Sequence, residues 1–165
     1  MKTPEQRLKI RIRGLLIFFI TGLVLSGITA FPIESELSLI ATNNSSSGLQ
    51  QWINTVYHTV AATNAHYPFI SYGTDWLAFA HIVIAIAFIG PLRDPVHNIW
   101  VLQFGMIACV LIIPLAFIAG PVRHIPIGWS LVDCCFGIVG FVPLYLCYRY
   151  AKKLETYQNK SYINP

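Results

Sequence analysis

The stretch 75–98, DWLAFAHIVIAIAFIGPLRDPVHN, decides how the rest of the chain reads. An acid and a tryptophan open it, a long apolar run follows, and one histidine, His81, interrupts that run. Gly90-Pro91 predicts the end of a helix. Asp94-Pro95 predicts the start of the next, with Asp94 as N-cap and Pro95 at the first helical position. So short a connection makes the two helices antiparallel neighbours.

Composition extends that reading outward. Of 165 residues, 55% are apolar and only 11% charged. A soluble domain carries about 25% charged residues, so this chain lacks the polar surface to cover a globule in water. The length fits one domain. A net charge of +4 raises nucleic acid as a partner, but the placement of the charge argues against it. Lys2, Arg7, Lys9, Arg11, Arg13, Arg93, Arg149, Lys152, Lys153 and Lys160 all flank apolar runs on what becomes one side of a membrane, the positive-inside pattern. Arg123 alone falls on the other side, with Glu34, Glu36 and Asp75. The expected surroundings are therefore the lipid bilayer, with a second copy or a partner membrane subunit and no nucleic acid.

Four spans follow: 14–32, 75–90, 95–119 and 127–148, with residues 1–13 and 149–165 as cytoplasmic ends. The first could be read as a signal peptide, since a basic segment precedes a short apolar one. Pro32 and the weak Ile28-Thr29-Ala30 site favour an uncleaved span. Gly22, Ser26 and Ala30 give that span a small-residue stripe suited to close helix approach. Gly105, Cys109, Ile112, Ala116 and Gly120 do the same on the third span, which Pro114 should kink. On the fourth, Ser130, Asp133, Gly137, Gly140 and Cys147 fall within about 80° of arc and should face inward.

Residues 33–74 are the one sizeable polar region and read as an extracytoplasmic cap. Ser35 is a candidate cap for a short helix holding Glu36. Asn43 to Gly48 reads as a loop with two glycosylation sequons, at Asn43 and Asn44. Ser47 with Gln50 fits a capping box opening an amphipathic helix over 48–63. Leu49, Trp52, Ile53, Val56, Tyr57 and Val60 form its apolar stripe, opposite Gln51, Asn54, Thr55 and His58. The expected fold is thus all-α: an integral membrane four-helix bundle with a small extracytoplasmic helical cap.

Chemistry is harder to find. No phosphate loop or serine-hydrolase motif is present, and the sequence leaves open whether the protein is an enzyme. Cys109, Cys134, Cys135 and Cys147 sit in apolar runs without metal-ligand spacing and read as buried small hydrophobes. His81 and Asp133 each lie about 9 Å below the outer end of their helices. Ionisable groups inside a membrane are costly and usually functional, so His81, Asp133, Asp75 and Arg123 are the candidate catalytic set. A weaker alternative is a metal site drawn from His81, His124, His66, Asp133, Glu34 and Glu36. Haem is weaker still, with only His81 inside a span, and no cofactor is the leading expectation. The leading function is a structural or accessory subunit of a membrane assembly. The alternative is a membrane enzyme or carrier with an outward-facing polar pocket around His81 and Asp133.

Overall fold

The computed structural model describes residues 3–42 and 47–163. Among these there is no strand. The helices are α1 (Pro4–Ala30), α2 (Ile33–Ile40), α3 (Gly48–His66), α4 (Tyr72–Ala87), α5 (Ile89–Arg93), α6 (Ile99–Val122) and α7 (Ile127–Ile163), with a 3-10 turn at Pro68–Ile70. Four helical stretches are long and apolar enough to cross a membrane: Pro4–Ala30, Pro68–Arg93, Ile99–Val122 and Ile127–Asn159. Of the expected loop Asn43 to Gly48, residues 43–46, with both sequons, lie outside the described residues, while Ser47 and Gly48 already belong to the start of α3. The chain divides into two compact units, Gly22–Ala85 and the combination of Met1–Thr21 with Ile86–Pro165.

In the larger unit, α6 and α7 pack antiparallel through their small residues. A Cβ added at Gly137 would stand 2.6 Å from the carbonyl oxygen of Cys109, so α7 touches the α6 backbone itself. Gly105 is as tight against Phe88 and Leu144, and Gly120 against the hydroxyl of Ser130. Cys109, Cys134, Cys147 and Ser130 are buried, whereas Cys135, one residue round the helix from Cys134, is exposed.

The start of α1 joins the same core. Leu8, Ile12 and Leu16 form a buried i, i+4, i+8 stripe, and Leu144, Cys147, Ala151 and Leu154 form its counterpart on α7. Cys147 Sγ lies 3.7 Å from the Ile12 carbonyl oxygen, and Phe19 meets Gly140 one packing layer along. These contacts share one antiparallel register. Residues 4–13 and 149–163, expected as polar ends, are therefore helical. Thr3 starts α1 with a reciprocal capping box: its hydroxyl accepts the Gln6 amide at 3.3 Å, and the Gln6 side chain accepts the Thr3 amide at 3.1 Å. Pro4 takes the first helical position.

Two boundaries within the 75–98 stretch also differ from the sequence expectation. Gly90-Pro91 does not stop the helix. Instead the chain breaks at Phe88 and resumes as α5, which holds Pro91 in its first turn, where its missing N–H has no intrahelical partner to lose. Asp94 does not cap α6. Its carboxylate accepts the amides of Val96 and His97, both at 3.1 Å, and winds residues 95–98 into a turn, so α6 begins at Ile99.

In the smaller unit, the C-terminal part of α1 packs on α4 through Gly27. A Cβ there would stand 2.8 Å from the Ala78 carbonyl oxygen. The expected stripe of Gly22, Ser26 and Ala30 is not the one that meets α4: a Cβ added at Gly22 would meet no described residue of another element within 4 Å, and Ser26 is exposed. A shift of one position turns the helix by about 100°, so the side of α1 that meets α4 is turned from the expected one. Pro32 precedes α2 without a side-chain cap bond, and Ser35 lies within that helix. Ser47 caps α3 by accepting the Gln50 amide at 3.2 Å. Gln50 does not return the bond; its amide group reaches the Ile40 carbonyl at 2.9 Å and ties α3 to α2. Asn54, expected on the solvated face, pairs with Thr42 through both its amide nitrogen and its oxygen. Trp52, Ile53, Val56, Tyr57 and Val60 are half-buried, while Leu49 is exposed.

Candidate functional site

His81 sits two turns into α4, half-buried. Its Nδ1 lies 2.8 Å from the Leu77 carbonyl oxygen, one turn back on the same helix. A carbonyl only accepts, so Nδ1 is the donor in this bond. The Cβ of His81 faces α1, 3.3 Å from where a Cβ on Gly27 would stand. Helix packing and one backbone bond thus fix the ring's position. Asp75 lies in the first turn of the same helix, about 9 Å along the axis.

Asp133 lies in the N-terminal part of α7, one turn past the buried Ser130, and is half-buried. Among the described residues it makes no side-chain hydrogen bond or ion pair. Arg123 closes α6: its amide reaches back to the carbonyls of Ala119 and Gly120, and its guanidinium makes no ion pair among the described residues. The following residue, His124, has φ 57°, the left-handed conformation that ends the helix. Arg123 therefore does not pin Asp133 within their unit.

The weaker metal candidates are mostly engaged one by one. Glu34 accepts a hydrogen bond from the Asn64 amide group, and Asn64 in turn accepts one from the Ser71 hydroxyl. His66 Nδ1 lies 2.9 Å from the Ala62 carbonyl oxygen. Glu36 is exposed on α2. Within neither unit do three or more His, Cys, Asp or Glu side chains among the described residues converge on a point that could hold a metal ion.

Sequence reasoning missed two arrangements. One is the chain Glu34–Asn64–Ser71, which links α2, α3 and the segment entering α4; nothing in the spacing of the three residues announces it. The other is a stack on α7. Phe141 and Tyr145 lie ring on ring, centroids 5.9 Å apart at 10°. The Arg149 guanidinium follows, its carbon 5.8 Å from the Tyr145 ring centroid and its Nη1 3.0 Å from the Tyr145 hydroxyl. Here the i, i+4, i+8 spacing was visible in the sequence.

Compared with protein-family models, with curated proteins and with solved structures, the chain matches none.

Proposed function

We propose that the protein is a small integral membrane protein whose four long apolar helices cross the bilayer as a bundle. Both termini face the cytoplasm, and residues 33–74 form a cap on the other side. It serves as a structural or accessory subunit of a membrane assembly. Exposed apolar side chains on all four long stretches support the membrane setting: Phe18, Phe69, Leu115 and Phe136 are each more than 60% exposed, and so much apolar surface calls for lipid or a partner. The cation pattern of the sequence supports the orientation.

One observation carries the assembly role. The chain packs against itself through Gly27 and leaves the Gly22–Ser26 side of α1 open. Small residues at that spacing admit a second helix at close range, which is how helices associate in lipid. Light scattering on the detergent-solubilised protein tests this. The expected particle contains more than one 18.5 kDa chain or a partner subunit, and Ser26→Leu reduces it to a single chain. A monomer in the unaltered protein, extracted gently from its own membrane, would overturn the assembly role.

Asp133 favours a second reading. A half-buried carboxyl without a partner among the described residues, inside an apolar helix, is the kind of group that membrane enzymes and carriers use to handle protons or cations. In that reading Asp133 is the acting group, and His81, Asp75 and Arg123 are further side chains to substitute. Metal analysis and visible absorption of the purified protein, before and after His81→Ala and Asp133→Asn, distinguish this reading from the first.

A further inference from the structure

A groove of about 370 Å³ runs along the surface between α6 and α7. Met106, Ile107, Val110 and Leu111 form one wall, with Phe141 and Tyr145 on the other. Its volume is that of a site for a small ligand. The wall on α7 is the stack described above, and it leads from apolar to charged within two helical turns, about 12 Å. At its end the guanidinium of Arg149 is held by the ring and hydroxyl of Tyr145. Among the described residues no carboxylate pairs with Arg149, while nearby Lys152 is matched by Glu155 at 3.0 Å. An apolar trough ending in an oriented, unmatched guanidinium complements a molecule with an apolar chain at one end and an anion at the other.

We propose that this groove holds one anionic phospholipid of the cytoplasmic leaflet, an acyl chain lying along Met106, Val110 and Phe141 and the phosphate bound by Arg149. The inference rests on the membrane reading above. Guanidinium suits the role because its planar fork pairs two phosphate oxygens at once. Tyr145 contributes by positioning: it fixes one edge of the guanidinium and leaves the other N–H groups for the lipid. Nearby Lys153 adds attraction without a fixed geometry.

Native mass spectrometry of the full chain in detergent, titrated with phosphatidylglycerol or with phosphatidylcholine of the same acyl chains, tests the proposal. A single cation at the membrane surface contributes about 1 kcal/mol toward an anionic lipid, roughly a fivefold preference. The expected result is one tightly retained phosphatidylglycerol, favoured about fivefold or more over phosphatidylcholine. Arg149→Gln removes that preference and keeps the weaker, uncharged binding. Val110→Trp fills the trough and lowers retention of both lipids. Equal retention of the two lipids by the unaltered protein overturns the proposal, as does a preference that survives Arg149→Gln. So does a groove occupied by a second copy, seen as a dimer that Val110→Trp dissociates. Alkaline extraction of membranes separates this from the underlying reading. A chain that stays in the membrane but shows no lipid preference loses only the lipid site, whereas a chain released into solution loses both.

Discussion

Cys147 Sγ lies 3.7 Å from the carbonyl oxygen of Ile12, and through that contact the two ends of the chain become one packed structure. Leu8 and Ile12 on α1, with Ala151 and Leu154 on α7, are buried although basic residues flank them in the sequence. Truncating a well-buried Leu or Ile to Ala costs about 2–5 kcal/mol. Leu154→Ala and Ile12→Ala should each destabilise the fold by an amount in that range and lower the midpoint of thermal unfolding, while Lys153→Ala leaves the midpoint within error. If Leu154→Ala proves as silent as Lys153→Ala, residues past 148 are a tail after all.

A second prediction concerns Gly137. Its α-carbon faces the Cys109 carbonyl so closely that a methyl group would stand 2.6 Å from backbone oxygen. Backbone cannot rotate away as a side chain can, so Gly137→Ala should separate α6 from α7 and destabilise by about 1–3 kcal/mol. Gly14→Ala meets nothing within 4 Å and should stabilise α1 by about 0.5–1 kcal/mol through helix propensity. Opposite signs in one unfolding assay would confirm which glycines carry the packing.

The turn after α5 makes a prediction in pH. Hydrogen bonding from the His97 amide is the largest influence on the Asp94 carboxyl and, with the bond from the His97 ring at 2.8 Å, holds its pKa below the ordinary value. A carboxyl with a depressed pKa stabilises the fold fully above its unfolded pKa of about 3.9, and that stabilisation disappears as the pH falls through the lower, folded value. Hydrogen exchange at the Val96 and His97 amides should therefore stay slow from pH 7 to about 4, once corrected for the intrinsic rate, and lose protection below that. Asp94→Ala should remove the protection at every pH and cost about 1 kcal/mol. Asp94→Asn keeps an acceptor and should retain part of it, without the pH dependence.

Much of the architecture was legible in the residues because long apolar runs and their Pro/Gly punctuation read directly as helices. The all-helical character and the close-packing face of α6 at Gly105, Cys109 and Gly120 came from periodicity alone. Other features were misread because a local signal was weighed without its packing context. Gly22, Ser26 and Ala30 look like a packing stripe, but only contact with Ala78 selects Gly27 instead. The basic flanks hid the stripe of Leu8 and Ile12, and hid the continuation of α7 through Ala151 and Leu154. The box formed by Thr3 and Gln6 was present in the sequence and would have placed the start of α1 at Pro4. For the candidate site, the place of Asp133 six residues after the start of α7 was legible, but α4 begins at Tyr72, which puts His81 nine residues in, and the partnership of neither was legible. The His81 bond to the Leu77 carbonyl depends on a rotamer, and no spacing rule supplies that.

Asn64 gives the last prediction. It donates to Glu34 on α2 and accepts from Ser71 just before α4, so one side chain links three consecutive elements of the smaller unit. Removing it leaves the Glu34 carboxylate without its Asn64 donor and the Ser71 hydroxyl without its acceptor. Asn64→Ala should therefore cost about 1–3 kcal/mol and loosen the segment from Tyr67 to Ser71, which holds the exposed residues Phe69 and Ile70. Limited proteolysis in detergent reads this directly. A protease that cuts after aromatic residues should cleave at Tyr67 or Phe69 several times faster in Asn64→Ala than in the unaltered protein. Asn64→Asp is the sharper control, because it keeps the acceptor for Ser71 and sets a second carboxylate against Glu34. It should cleave at least as fast as the alanine variant at neutral pH and recover toward the unaltered rate in acid, as one of the two acids takes up a proton. Unchanged cleavage in both variants would show that the apolar contacts between α2 and α3 hold this segment without the polar chain.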